Sequence, residues 1–117
     1  MTPEELGQAW LKAFNAHDVE ALVSLYADNC THTSPKLRVQ HPETGGKISG
    51  KAALREWWAE AMKRLPGLQY EATAITANSE RVVLEYLRHN PGDADLPVSE
   101  SFDVRFGKIV ASRVFHG

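Results

Sequence analysis

From Gln69 to His116, apolar side chains recur at every second position in four runs, about 69–77, 81–89, 98–106 and 108–116. Period two is the repeat of a strand that buries one face and wets the other, so these runs are expected as four antiparallel strands. Asn78-Ser79 marks a tight turn, HNPGDADLP a longer loop, and Gly107 a close hairpin. Ahead of the strands the period changes to that of a helix. Thr2-Pro3-Glu4-Glu5 combines a capping hydroxyl, a first-turn proline and two acids. A stripe of Leu6, Trp10, Ala13, Phe14 and His17 follows, which predicts a helix over about 3–16. Asp18 starts a second, shorter helix carrying Val19, Leu22, Val23 and Tyr26 and ending near residues 27–29. A third helix, about 51–65, presents Leu54, Trp58, Ala61, Met62 and Leu65, widened by Trp57, and stops at Pro66-Gly67. Helices first and strands afterwards read as α+β.

Between the second and third helices, residues 29–34 suit a short strand with Cys30, His32 and Ser34 on one face. Residues 35–50, with two prolines and three glycines, read as a loop, either a lid or a small hairpin. At 117 residues the chain forms a single domain over 1–117 and shows no internal repeat. Thirteen basic against fifteen acidic residues, with no basic run, argue against a nucleic-acid partner. No apolar stretch is long enough to cross a membrane as a helix, and the first residues lack a basic leader, so a cytoplasmic location without membrane contact is expected. Cys30 is the only cysteine. It rules out an intramolecular disulfide and a thiolate-rich zinc site, and packs as a small hydrophobe.

The segments AFNAHDVEALVSLYADN, GKAALREWW and VRFGKIVASRVFHG, in that order and spacing, resemble the nuclear-transport-factor-2-like superfamily, and in particular its SnoaL-like branch. The resemblance spans nearly the whole chain. It implies a cone-shaped, cystatin-like α+β barrel, in which a strongly curved antiparallel sheet wraps around the N-terminal helices and encloses an apolar pocket. It also implies a homodimer through the outer sheet face. Function varies widely on this fold, so activity has to be read from the site. The ketosteroid isomerases of the superfamily use an aspartate base before a proline, a tyrosine and a protonated aspartic acid. Here those positions fall on Ser34, Trp10 and the neighbourhood of Phe102, so that mechanism does not carry over.

The groups left for chemistry are imidazoles and carboxylates. His32 and His116 lie on strands expected to line the pocket. The resemblance favours an 81–89 strand that turns Val83, Glu85, Leu87 and His89 inward, so that Glu85 joins them as a catalytic cluster of His32, Glu85 and His116. Val82, Leu84 and Tyr86 then face outward, toward the dimer partner; a one-residue slip would exchange the two sets. A carboxyl in an apolar cone gains proton affinity and suits a general base, and histidine titrates in the right range unaided. Trp10, Phe14, Tyr26, Trp58, Leu87, His89 and Phe102 are expected to form the ligand-binding wall, with Ser34 and Glu100 near the mouth. Plain core is the alternative favoured for Phe14 and Phe106. The histidines lack the spacing of a metal site, and no metal or cofactor is expected. The expected activity is acid–base catalysis on a hydrophobic ring-shaped or carbonyl compound by an isomerase, cyclase, dehydratase or hydrolase. The competing reading is a non-catalytic module that binds a hydrophobic ligand or serves dimerisation.

Overall fold

In a computed structural model covering residues 1–117, the chain starts with helix α1 (Pro3–Asn15), whose Thr2 and Glu5 form a reciprocal capping box. Helix α2 (Val19–Val23) follows, capped by Asp18. Next come strand β1 (Tyr26–Thr33), helix α3 (Pro35–Gln40), a 3-10 turn at Pro42–Thr44 and the short strand β2 (Lys47–Ser49). Helix α4 (Lys51–Arg64) then leads into β3 (Gln69–Ala77), β4 (Arg81–His89), β5 (Leu96–Arg105) and β6 (Lys108–His116). The strands form one six-stranded curved sheet in the order β2-β1-β6-β5-β4-β3, with the helices packed into its concave side. The α+β expectation and the strand runs hold.

Five local expectations are corrected. First, the sheet is mixed, because β1 pairs with β6 in parallel. Second, α2 ends at Val23, and Tyr26 opens β1, where it pairs with Ile109. Third, residues 35–50 are mostly ordered elements: Ser34 caps α3 through Lys36 N–H, Pro35 fills its first turn, and β2 pairs antiparallel with β1. Fourth, Phe106 is fully exposed. It and Gly107 both take positive φ (51° and 72°), as a two-residue turn between β5 and β6 requires.

Fifth, β4 presents the opposite face to the cone. Val82, Leu84, Tyr86 and Arg88 face the core, whereas Glu85 is exposed and Leu87 and His89 are only half-buried on the outer face. The physical reason is the contact with α1. Gly7 leaves room there for Val82 and Leu84, and a Cβ on Gly7 would stand 3.0 Å from Val82 Cγ2. Three apolar side chains on that parity bury more hydrocarbon than the Val83/Glu85/Leu87 set, and no carboxylate needs desolvating. His89 is instead held at the surface between Glu71 and Asp95, at 2.9 and 2.8 Å.

The core is aromatic. Trp10 stacks on Phe14 at 5.2 Å and meets Trp58 edge-on at 6.2 Å; Phe14 stacks on Tyr70 at 3.9 Å, and Tyr70 on Tyr86 at 4.1 Å. Such pairs add about 0.5–1.5 kcal/mol each beyond area burial. Asn15, at the end of α1, bonds both backbone groups of Tyr70 at 2.8 Å, and His17 bonds Leu68 O at 2.7 Å. These bonds fix where β3 begins, and with it the position of Tyr70.

Candidate functional site

The alternation of β5 turns Val98, Glu100 and Phe102 into the cone, and its pairing with β4 sets Glu100 opposite Leu84, two residues from Tyr86 on the same face. Glu100 is completely buried. Its Oε1 accepts a hydrogen bond from the Tyr86 hydroxyl at 2.8 Å, and its Oε2 has no partner. Removal from water disfavours the carboxylate and pushes the Glu100 carboxyl up to about 8, against the opposing pull of the Tyr86 bond. Tyr86 is itself pushed well above the ordinary tyrosine value, first by burial and then by Glu100, so it remains a neutral hydroxyl. The pair thus holds an exchangeable proton at neutral pH inside an apolar shell.

A second polar string lies deeper in the cone. The Trp10 indole N–H donates to the Tyr26 hydroxyl at 3.0 Å, Tyr26 makes a longer 3.5 Å contact to Ser112 Oγ, and Ser112 Oγ meets His32 Nδ1 at 2.6 Å. An indole can only donate. The Tyr26 hydroxyl proton is then free for Ser112 Oγ, while the Ser112–His32 bond runs either way, according to whether Nδ1 or Nε2 of the neutral ring carries the proton. That Nε2 is buried and unpartnered. Burial lowers the His32 imidazole to about 4, so it stays neutral at pH 7. Burial likewise raises the Tyr26 phenol above its ordinary range.

The cone opens to solvent through a cleft between α4, the start of α3 and the ends of β4 and β6. Trp57, Trp58, Tyr70 and Tyr86 form its walls, and Lys36, Arg88 and His116 stand among its polar lining. Its interior of about 40 Å³ takes water or a small group. A ring-sized occupant has to displace a rim side chain. The Trp58 indole N–H is buried in this wall without a partner. His116 is exposed at the rim, and partial burial together with the Lys36 and Arg88 cations holds it below the usual histidine value.

Set against the expected site, Trp58, Ser34 and His116 line the cleft. Tyr26, Phe102 and His32 are buried behind it, and Glu100 is one side chain in, behind Tyr86. Trp10 and Phe14 are core packing and not a ligand wall, because their faces are covered by Tyr70, Trp58 and each other. Glu85, Leu87 and His89 are on the outer side of the sheet, away from His32; Glu85 and Leu87 share only a shallow depression at the sheet end with His116, outside the cone. Tyr70, Tyr86, Arg88 and Lys36 also line the cleft and were not among the expected residues. The signal for Tyr86 was present in the Val82/Leu84/Tyr86 alternation.

Residues 8–112 match the SnoaL-like domain family. The chain belongs to that family. Comparison of this SnoaL-like domain with solved structures finds a SnoaL-like protein of unknown function from Burkholderia thailandensis, at a TM-score of 0.88 and 27% identity over 98% of this chain and 93% of that one. It also finds an uncharacterised cystatin-fold protein from Novosphingobium aromaticivorans (TM-score 0.83, 20% identity, 98% of each chain). A candidate polyketide cyclase from Pseudomonas putida matches at a TM-score of 0.75 and 23% identity, over 100% of this chain and 92% of that one. The last two likenesses carry the fold alone. No curated protein matches.

Proposed function

We propose that this SnoaL-like domain is a cofactor-independent enzyme that moves a proton on a hydrophobic carbonyl compound, such as an isomerase or cyclase. In this reading His116 is the base at the cleft, and the Tyr86–Glu100 pair is the acid. The observation that carries it is the fully buried Glu100, hydrogen-bonded through one oxygen to the one hydroxyl that links it to the cleft. His116, kept unprotonated at neutral pH, takes a proton next to the carbonyl. The Tyr86 hydroxyl turns to the developing oxyanion and is resupplied by the Glu100 carboxylic acid, whose proton affinity sits close to the working pH. His32 acts as a positioning residue through Ser112 and Tyr26 rather than at the substrate. The mostly apolar lining of the cleft equally suits one rival, a non-catalytic binder of a hydrophobic ligand.

The test is deuterium incorporation, followed by NMR in D2O, at carbon positions next to the carbonyl in a series of cyclic ketones and β-keto esters. Exchange is expected above background and is expected to fall about 100-fold or more in Glu100→Gln, Tyr86→Phe and His116→Gln. Glu85→Gln is expected to leave it unchanged, since Glu85 is outside the cone. Exchange that survives Glu100→Gln and His116→Gln, or binding without any exchange, overturns the enzyme reading; the second outcome establishes the binder.

A further inference from the structure

The cleft is lined by 15 residues, and no aspartate or glutamate is among them, although the chain as a whole carries a formal charge of -2. Its cations are Lys36, Arg64 and Arg88, with His116 at the rim. Arg64 leans on Glu60 at 3.8 Å, one helical turn away. Arg88 is different. Its side chain is only 9% exposed, and its one ion pair is a loose 3.6 Å contact to Asp93, itself more than half exposed. A guanidinium has five N–H donors in a planar fork, so most of the donor capacity of Arg88 is left for something else. Lys36 has no carboxylate in salt-bridge range. Its amine is held below the usual lysine value by burial first and by Arg88 second, and His116 feels the same two cations. Positive charges that repel one another over an apolar floor make an anion a stabilising occupant.

A second, independent observation points the same way. The Trp58 indole N–H, in the same wall, is buried and without a partner, and an indole can serve only an acceptor. Trp57 and Trp58 supply the aromatic surface of the cleft, because Tyr70 is stacked between Phe14 and Tyr86.

We propose that the cleft takes an organic carboxylate with an aromatic or ring-shaped body, its carboxylate held by Arg88 and Lys36 and its ring laid against Trp57 and Trp58 as a rim side chain swings aside. The inference rests on the cleft being the ligand site of the proposed function, and it narrows the substrate class to ring compounds bearing an acid group. Arg88 reads the carboxylate through its fork, and Lys36 supplies a point charge. The ring end then reaches toward Tyr86.

The test is binding of benzoate, cinnamate and 2-naphthoate against their neutral carboxamides, followed by tryptophan fluorescence and calorimetry at low salt. Each carboxylate is expected to bind at least about tenfold more tightly than its amide. That preference is expected to shrink in Lys36→Gln and to vanish in Arg88→Gln. Arg88→Gln exchanges a mostly buried side chain and can lose the fold, so Lys36→Gln and the salt dependence of wild-type binding form the independent check. Equal affinity for acid and amide overturns the anion inference and leaves the cleft as a ligand site. Failure of every acid and amide to bind overturns both. A carboxylate preference unchanged in both variants places the anion elsewhere and also overturns the proposal.

Discussion

Glu100 and His32 are both buried without charge, and they act on stability in opposite directions. The Glu100 carboxyl is raised from 4.5 to about 8 on folding, so its contribution is complete below pH 4.5 and is lost as pH rises to 8. His32 is lowered from 6.5 to about 4, so its contribution is complete above pH 6.5 and is lost as pH falls to 4. Over pH 4.5–6.5 the two slopes oppose, and above that Glu100 acts alone. The Tm difference between wild type and Glu100→Gln is therefore expected to shift steadily against the wild type from pH 5 to pH 8. Each pH unit corresponds to a change of up to about 1.4 kcal/mol, measured by thermal denaturation in matched buffers. A difference that does not vary with pH would refute the buried, protonated carboxyl. At this scale the chemistry-bearing residue types were readable in the sequence, but their directions were only half readable. The period of β4 is the same for either parity. The superfamily resemblance favoured Glu85, whereas the greater hydrocarbon content of Val82, Leu84 and Tyr86 decided for the other face.

Among the elements, the contact of α1 with β4 sets the parity, and Gly7 lies directly against Val82 and Leu84 there. A Cβ at Gly7 meets Val82 at 3.0 Å and Leu84 at 3.1 Å, so Gly7→Val is expected to overpack the joint and cost about 1–3 kcal/mol by denaturant titration. Thr2→Ala, which removes the capping box of α1, is expected to cost about 1 kcal/mol in the same assay. The long elements were legible because each combines a sustained period with its punctuation: Thr2-Pro3 before α1, Pro66-Gly67 after α4, Asn78-Ser79 before β4. Helix α3 was not, although Ser34-Pro35 is a cap followed by a first-turn proline. Six residues are too few for a period to show, and a glycine- and proline-rich surround outweighed the cap. The parallel pairing of β1 with β6 was also invisible, since nothing local in a strand states which distant strand it will join.

For the molecule as a whole, closure of the cone is made by the helices, and the convex side of the sheet is left open. Val83 and Leu87 are half-buried there, Phe115 is 55% exposed, and Arg81 and Arg113 flank Asp103 at 2.9 and 3.1 Å. We propose that a second copy of the chain covers this face. Light scattering is expected to give twice the mass of one 13.0 kDa chain, and Phe115→Arg is expected to shift it toward the monomer; a monomeric wild type would refute the dimer. The cone, in contrast, needs no partner to bury Glu100, and on that burial the account of function depends. The most direct measurement is a carboxyl-resolved NMR titration of protein labelled with 13C at its glutamate side chains, with Glu100→Gln used to assign the resonance. The account predicts one glutamate with a midpoint near 8, well separated from the rest. A Glu100 resonance that titrates with the others near 4.5 would contradict it.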